Sequence, residues 1–434
     1  MGASRYSVNS ILSLSSFKLT PALFQEATTL LGEVLHFSAP ADSLLSTFFR
    51  DRPKLGRQER AVIAECVYGV LRRFLALKWI LPDGNPRLWI LLWLGRFQGI
   101  SQRELEPLIL PRDRDKLAAL KSRSLESAPL DVQAELPEWV VEKLRPVMPD
   151  EAILNLGRAL QQPAPLDIRV NTFKSSRESL LAALEENGIA AQSTDYSPTG
   201  LRVSGYPDIT RLPAFKSGEM EVQDEGSQLL AILVGARRGE MVADLCAGAG
   251  GKTLALGAQM SSSGRLYAFD INDKRLARLS PRLKRSGLSN VTPQLIASEN
   301  DTRLKRLAGK LDRVLVDAPC SGLGTLRRNP DLKFRQSPQT VASLSQTQAS
   351  LIRAGAKLLK PGGRLVYATC SLLPEENQAI IAAFLAEHPE FHLQPAREVL
   401  TAQRISLDTG DYLELNPALH GTDGFFAAVL EKIP

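Results

Sequence analysis

The stretch MVADLCAGAGGKTLALGAQM, residues 241–260, decides the fold. A short apolar run ending at Asp244 reads as a buried strand, CAGAGGKT (246–253) as a glycine-rich turn, and the residues after it as a helix. The theme then repeats. RLYAFDIND (265–273) is a strand ending in acids, and DRVLVDAPCSG (312–322) and GRLVYATCS (363–371) are apolar runs that end in polar residues. GTDGFFAAVLEK (421–432) adds a late strand. Continuous apolar strands alternating with helices indicate a parallel sheet covered by helices, a Rossmann-like α/β domain from about residue 226 to 434.

The turn itself excludes two ligand classes. A phosphate-binding P-loop ends in Gly-Lys-Ser/Thr, which Gly251, Lys252 and Thr253 supply, but its first glycine falls on Cys246. The dinucleotide pattern GxGxxG, started at Gly248 and Gly250, places Thr253 where its third glycine belongs. What remains is a turn that lets a ligand press against backbone, followed by Asp270 at the next strand end, where a carboxylate binds ribose hydroxyls. A nucleoside without phosphates suits it, and S-adenosylmethionine is such a ligand.

Two later strands each end in a cysteine, Cys320 and Cys370. Most cysteines fill core space. These two lie just past their apolar runs, flanked by Pro319, Ser321, Thr369 and Ser371, which favours chemistry over packing. In an open α/β sheet the ligand site lies beyond the carboxyl ends of the strands, where the 246–252 turn, Asp270, Asp317 and Cys370 all fall. If the strands carrying Asp317 and Cys370 are neighbours, their backbones lie about 4.8 Å apart. A thiolate, a carboxyl group and a methyl donor are what methylation of cytosine C5 requires. The thiolate adds to C6 and makes C5 nucleophilic, an acid stabilises N3, and a base later removes the C5 proton.

Upstream, residues 20–125 read as successive helices. In LGRQERAVIAECVYGVLRRFLALKWIL (55–81) the spacing of Ile63, Cys66, Val67, Val70, Leu71, Phe74 and Leu75 forms one apolar face, with Arg57, Arg60, Arg72 and Arg73 among the polar positions and Cys66 packed as a small hydrophobe. Between about 131 and 225, IRVNTFKSS, ESLLAALEENGI and LRVSG read as a small α+β module. Three domains result: 1–130, 131–225 and 226–434. Four cysteines in 434 residues form no disulfide framework, and neither a CxxC nor a Cys/His cluster suggests a metal. The net charge of +6 is compatible with a polyanionic partner. MGASRYS at the start has no signal-peptide pattern, and the most apolar patch, Leu88 to Leu94, is too short to cross a bilayer. A cytoplasmic protein with reduced thiols, no membrane partner and a monomeric state is expected.

GEMEVQDEGSQL (218–229), DLCAGAGGKT (244–253), VDAPCSGLGTLRRNPDLK (316–333), LKPGGRLVYATCSLLPEENQ (359–378) and DGFF (423–426) resemble, in order and spacing, the motifs of RNA 5-methylcytosine methyltransferases. RVNTFKSSRESLLAAL (169–184) resembles the small RNA-binding module that precedes their catalytic domain, and the helical N-terminus resembles the NusB-like domain of the branch acting on 16S ribosomal RNA, the RsmB (Sun/Fmu) type. The resemblance implies Cys370 as nucleophile, Cys320 in product release and Asp317 at the cytosine edge and close to the cofactor. It implies Cys246, Ala247, Gly248, Ala249, Gly250, Gly251, Lys252 and Asp270 as the S-adenosylmethionine site. The usual turn is CAAPGGKT, so Gly248 and Ala249 replace Ala-Pro here and the turn loses rigidity. The adenosine acid expected between Asp270 and Asp317 falls on Ser298, Glu299 or Asp301, and Asn329 and Phe334 stand where relatives often carry His and Trp. Arg327, Arg328, Lys333 and Arg335 are expected to extend a ribosomal-RNA surface. Two alternatives stay open: the same chemistry on transfer RNA or large-subunit RNA, and a non-catalytic RNA-binding assembly protein.

Overall fold

A computed structural model describes residues 19–119 and 124–434, so the MGASRYS stretch lies outside the described residues. The chain forms two compact units, one from residues up to Ala164 with Thr325–Ser337, the other from Pro165–Gly324 with Pro338–Pro434.

The first unit is helical. Its opening helix, Pro21–Val34, starts where Thr20 accepts the Leu23 N–H and buries Leu23, Phe24, Ala27, Leu30, Leu31 and Val34 along one face. Helix Arg57–Arg72 buries Ile63, Cys66, Val67, Val70 and Leu71 as the spacing predicts. The structure differs from that reading in two ways. The helix breaks at Arg73, and a new one, Phe74–Ile80, begins with its Leu75 and Ala76 N–H groups donating to the buried Glu135 carboxylate, both at 3.0 Å. Arg72 is buried rather than on a solvated face, its guanidinium 5.8 Å from the Tyr68 ring centre.

The second unit holds two sheets. In the smaller, β1 (Leu166–Val170), β2 (Ala191–Ser193), β3 (Gly200–Val203) and β4 (Met220–Val222) lie antiparallel in the order β2-β3-β1-β4. Leu180 and Leu184 of helix Arg177–Glu186 share a core with Ile168, Val170, Leu201 and Met220 of this sheet.

The larger sheet contains β5 (Met241–Asp244), β6 (Arg265–Asp270), β7 (Val291–Leu295), β8 (Leu311–Asp317), β9 (Leu359–Thr369), β10 (Phe391–Gln394), β11 (Leu413–Leu415) and β12 (Phe425–Lys432). Its order is β10-β12-β9-β8-β5-β6-β7, with β11 on β12. Strands β5 to β9 are parallel, while β12 runs antiparallel between β9 and β10. The apolar run of β12 correctly marks a strand covered on both faces, but apolarity carries no information on direction. β8 and β9 are neighbours, with Val316 beside Tyr367 and Asp317 beside Ala368. Chain order reverses at β5, which pairs with β6 on one side and β8 on the other, so the crevice above β5 is the switch point where ligands bind in such sheets. Among the described residues no helix is long and apolar enough to cross a membrane.

Candidate active site

The glycine-rich turn leaves β5 at Asp244 and enters helix Gly251–Gln259. Gly250, at φ +83°, takes a conformation that side chains rarely adopt, and a Cβ there would sit 2.1 Å from Leu279 Cδ1. Gly248, at φ +55°, is open: a Cβ would meet only the Cys246 carbonyl, 4.0 Å away. Bare backbone therefore faces outward at the carboxyl end of the sheet. The Gly248 N–H donates to Asp270 Oδ2 and the Asn272 N–H to Asp270 Oδ1, each at 2.7 Å. Behind the turn, Thr253 donates to Asp244 Oδ2 at 2.7 Å. Burial, partly opposed by that hydrogen bond, pushes the Asp244 carboxyl up to about 7. Burial and the charges of Asp244, Asp317 and Asp270 push the Cys246 thiol well up, so it stays protonated at neutral pH.

Two arginines tie the turn's carbonyls. Arg282 donates from Nη1 to the Ala249 carbonyl at 2.6 Å, and Arg169 from Nη1 to the Gly251 carbonyl at 2.8 Å. Arg282 and Arg285 are themselves gripped by the buried Glu221 carboxylate, at 2.8 and 2.5 Å. Arg169 also hydrogen-bonds Gln223. Burial, with the neighbouring Glu221 opposing it, brings Arg169 down to about 10. These side chains supply rigidity to a turn whose sequence lacks proline. Sequence reasoning missed them. No local signal marked them, because the burial of Arg169 and Glu221 in short strands is set by the fold.

At the ends of β8 and β9 the thiols meet. Cys320 Sγ lies 3.3 Å from Cys370 Sγ, and the Cys370 N–H donates to Cys320 Sγ at 3.3 Å. The hydrogen bond with Cys370, then burial, then the Cys370 and Glu376 charges hold the Cys320 pKa well above the usual thiol value. Lys252 Nζ donates to Asp317 Oδ2 at 2.7 Å. Burial opposes the Lys252 ammonium, but Asp317, Cys370 and Asp244 outweigh it and raise its pKa. Thus Lys252, assigned from sequence to the cofactor turn, reaches across to the Asp317 carboxylate and interacts electrostatically with Cys370.

A family profile described as 16S rRNA methyltransferase RsmB/F matches residues 231–431, and one described as an RsmF/B-like ferredoxin-like domain matches residues 136–210. The probable ribosomal RNA small subunit methyltransferase B of Synechocystis is 36% identical over 71% of this chain and 69% of its own length. The ribosomal RNA small subunit methyltransferase B of Proteus mirabilis is 30% identical over 90% of this chain and 94% of its own. The chain belongs to the 16S rRNA methyltransferase RsmB/F family. The crystal structure of PH0851 is similar as well, with a TM-score of 0.78 and 27% identity over 95% of this chain and 99% of that one.

In this member of the RsmB/F family, other expected site residues fall in two places. Ser298, Glu299 and Asp301 follow β7, whose end pairs with Asp270. Ser298 Oγ accepts the Asn300 N–H, Glu299 accepts from Ser350 at 2.7 Å, and Asp301 caps helix Thr302–Lys305 through the Arg303 N–H at 2.9 Å. Arg327, Arg328, Lys333 and Arg335 belong to the helical unit. Lys333 corrects the sequence reading: it is 4% exposed, and its ammonium donates to the Glu135 carboxylate at 3.2 Å and to the Glu135 and Arg72 carbonyls at 3.0 and 3.2 Å. An ammonium so enclosed has no face left for a phosphate. Arg327 is also buried, and Arg335 pairs with Asp331 at 3.3 Å, leaving Arg328 half-buried.

Proposed function

We propose that the protein transfers a methyl group from S-adenosylmethionine to C5 of a cytosine in 16S ribosomal RNA through a covalent Cys370–C6 adduct. The observation that carries the reading is the pair of thiols 3.3 Å apart beside the Lys252–Asp317 ion pair, at strand ends next to the glycine turn. Similarity to the Synechocystis and Proteus small-subunit methyltransferases supports the RNA class.

The chemistry of the turn fits the cofactor. Open backbone at Gly248 admits a flat nucleoside, and the Asp270 carboxylate beside it suits ribose hydroxyls rather than a phosphate chain. S-adenosylmethionine, when bound, supplies an electrophilic methyl group. Residues 246–252 and Asp270 would hold it, with Ser298 or Glu299 reaching the adenosine.

The remaining work falls to side chains. The target base leaves its stack so that Cys370 reaches C6. Asp317 holds the base edge, and the Lys252 ammonium beside it supplies positive charge and a proton at N3 as the Cys370 thiolate forms the S–C6 bond. The electron pair pushed toward C5 would take the methyl group, with the S–CH3 bond of the sulfonium breaking and S-adenosylhomocysteine leaving as a neutral thioether. Cys320 then removes the C5 proton, the electrons re-form the C5–C6 double bond as the S–C6 bond breaks and frees the Cys370 thiolate, and the N3 proton returns to Lys252.

The helical region would act as a NusB-like domain, residues 131–225 as an RNA-positioning module and 226–434 as the catalytic domain of a cytoplasmic monomer. Incubation with S-adenosylmethionine and unmodified 16S RNA, followed by base-resolution mapping of 5-methylcytosine, tests the reading. A single modified cytosine is expected; no methylation of 16S, 23S or transfer RNA overturns it.

A further inference from the structure

The buried carboxylate of Glu376 is not needed by any step above, yet it touches both cysteine loops. Glu376 is fully buried, and all its side-chain hydrogen-bond partners are uncharged. Oε1 accepts from the Ser321 N–H at 2.8 Å and from Gln348 Nε2 at 2.9 Å. Oε2 accepts from the Ser321 hydroxyl at 2.5 Å and from the Ser371 hydroxyl. Ser321 directly follows Cys320, and Ser371 directly follows Cys370. The two hydroxyls lie 3.1 Å apart. Gln348 Nε2 also donates to the Pro319 carbonyl at 2.9 Å, so the residues on both sides of Cys320 are anchored to one carboxylate or its partner.

The other loop is held from Glu376 and its neighbour Asn377. Tyr367 donates its hydroxyl to the Glu376 carbonyl at 2.6 Å. Asn377 accepts from the Thr369 hydroxyl at 2.6 Å and donates to the Ser371 carbonyl at 3.1 Å. Cys370 is thereby bracketed on both sides too. Four donors converge on one group, which an acceptor-only carboxylate satisfies and an amide, with a single acceptor oxygen, does not.

We propose that Glu376 is a positioning residue that fixes the Cys320–Cys370 separation by clamping Ser321 and Ser371 together. The inference deepens the two-thiol methylation reading and rests on it for its functional meaning. A buried carboxylate that merely stabilised the fold would leave thiol geometry intact in whatever fraction of a variant remained folded. A clamp makes a different demand: displacement of reacting groups by about 1 Å costs on the order of 100-fold in rate.

The test measures thiol geometry without RNA. Diamide takes two electrons and two protons from a thiol pair, leaving a disulfide, and peptide mapping follows the Cys320–Cys370 crosslink over time. Glu376→Gln keeps the size of the side chain, and Glu376→Asp keeps its charge but shortens its reach. Both are expected to crosslink at least about 10-fold more slowly than wild type. They should show a KM for S-adenosylmethionine within about twofold of wild type and a methylation kcat lowered in step with crosslinking. Should neither variant fold, Ser371→Ala and Ser321→Ala decide, since each removes one donor to the clamp and should slow crosslinking. Wild-type crosslinking rates in folded variants would overturn the proposal. If the crosslinking pattern holds while wild type methylates no cytosine, the clamp stands and the methylation reading falls.

Discussion

Arg282→Met asks how far the cofactor turn depends on the arginine beneath it. Arg282 makes three hydrogen bonds: Nη1 to the Ala249 carbonyl at 2.6 Å, and Nε and Nη2 to Glu221 Oε2 at 3.0 and 2.8 Å. Methionine keeps the apolar stem and removes all three. A hydrogen bond to a charged group contributes about 1.5–3 kcal/mol, which sets the value of the Ala249 contact. Stripping one partner from a buried ion pair costs about 3–5 kcal/mol when the other charge is left alone. Glu221 is not left alone, because Arg285 stays at 2.5 Å, so the lower end applies. Together these give a stability loss of about 5 kcal/mol by urea denaturation. The larger interest lies in binding. A turn no longer held in its binding shape must be ordered by the ligand, and an ordering penalty of about 1.4 kcal/mol weakens Kd roughly tenfold. Isothermal titration with S-adenosylmethionine reads this directly, with Arg282→Lys expected to fall between the two. A folded Arg282→Met protein with wild-type Kd would refute the claim that side chains replace the missing proline.

Asp244 gives a pH signature. Its folded pKa of about 7 lies above the ordinary 3.8, so the folded chain keeps a proton that the unfolded chain releases. Stability should therefore fall as pH rises from about 4 to 7 and level off above, and Asp244→Asn should remove about 2.6 kcal/mol of the difference between urea melts at pH 5 and pH 8. Glu65 titrates in the same sense, so the comparison with wild type isolates Asp244. Lys333→Met leaves the Glu135 carboxylate buried without its cation, and should lower the stability of the helical unit by about 3 kcal/mol while leaving RNA affinity unchanged. A filter-binding assay that showed weakened RNA binding in folded Lys333→Met would restore the surface role.

Much of the catalytic region is legible in its sequence because the information is local. Apolar runs ending at Asp244, Asp270, Asp317 and Cys370 mark strand ends, and strand ends of a parallel sheet share one rim. The neighbouring of β8 and β9, which brings the two thiols together, was a condition stated from sequence and met by the register. What escaped is long-range and polar. Glu135 starts a helix 60 residues away, and Lys333 reaches it from 198 residues away, so neither the break at Arg73 nor the burial of Lys333 has a local signal. A lysine in a basic run looks solvated until a buried carboxylate is known to face it. Direction of β12 escaped for a different reason: two covered faces make a strand apolar whichever way it runs. Glu376 sat inside a recognised motif, but its function depends on donors from three separate segments.

The central claim is the division of labour between the thiols. Cys320→Ala and Cys370→Ala proteins, incubated with S-adenosylmethionine and unmodified 16S RNA and run on denaturing gels, separate attack from release. A protein–RNA adduct that survives denaturation should accumulate with Cys320→Ala and be absent with Cys370→Ala. An adduct formed by Cys370→Ala and not by Cys320→Ala would contradict the account and exchange the two roles.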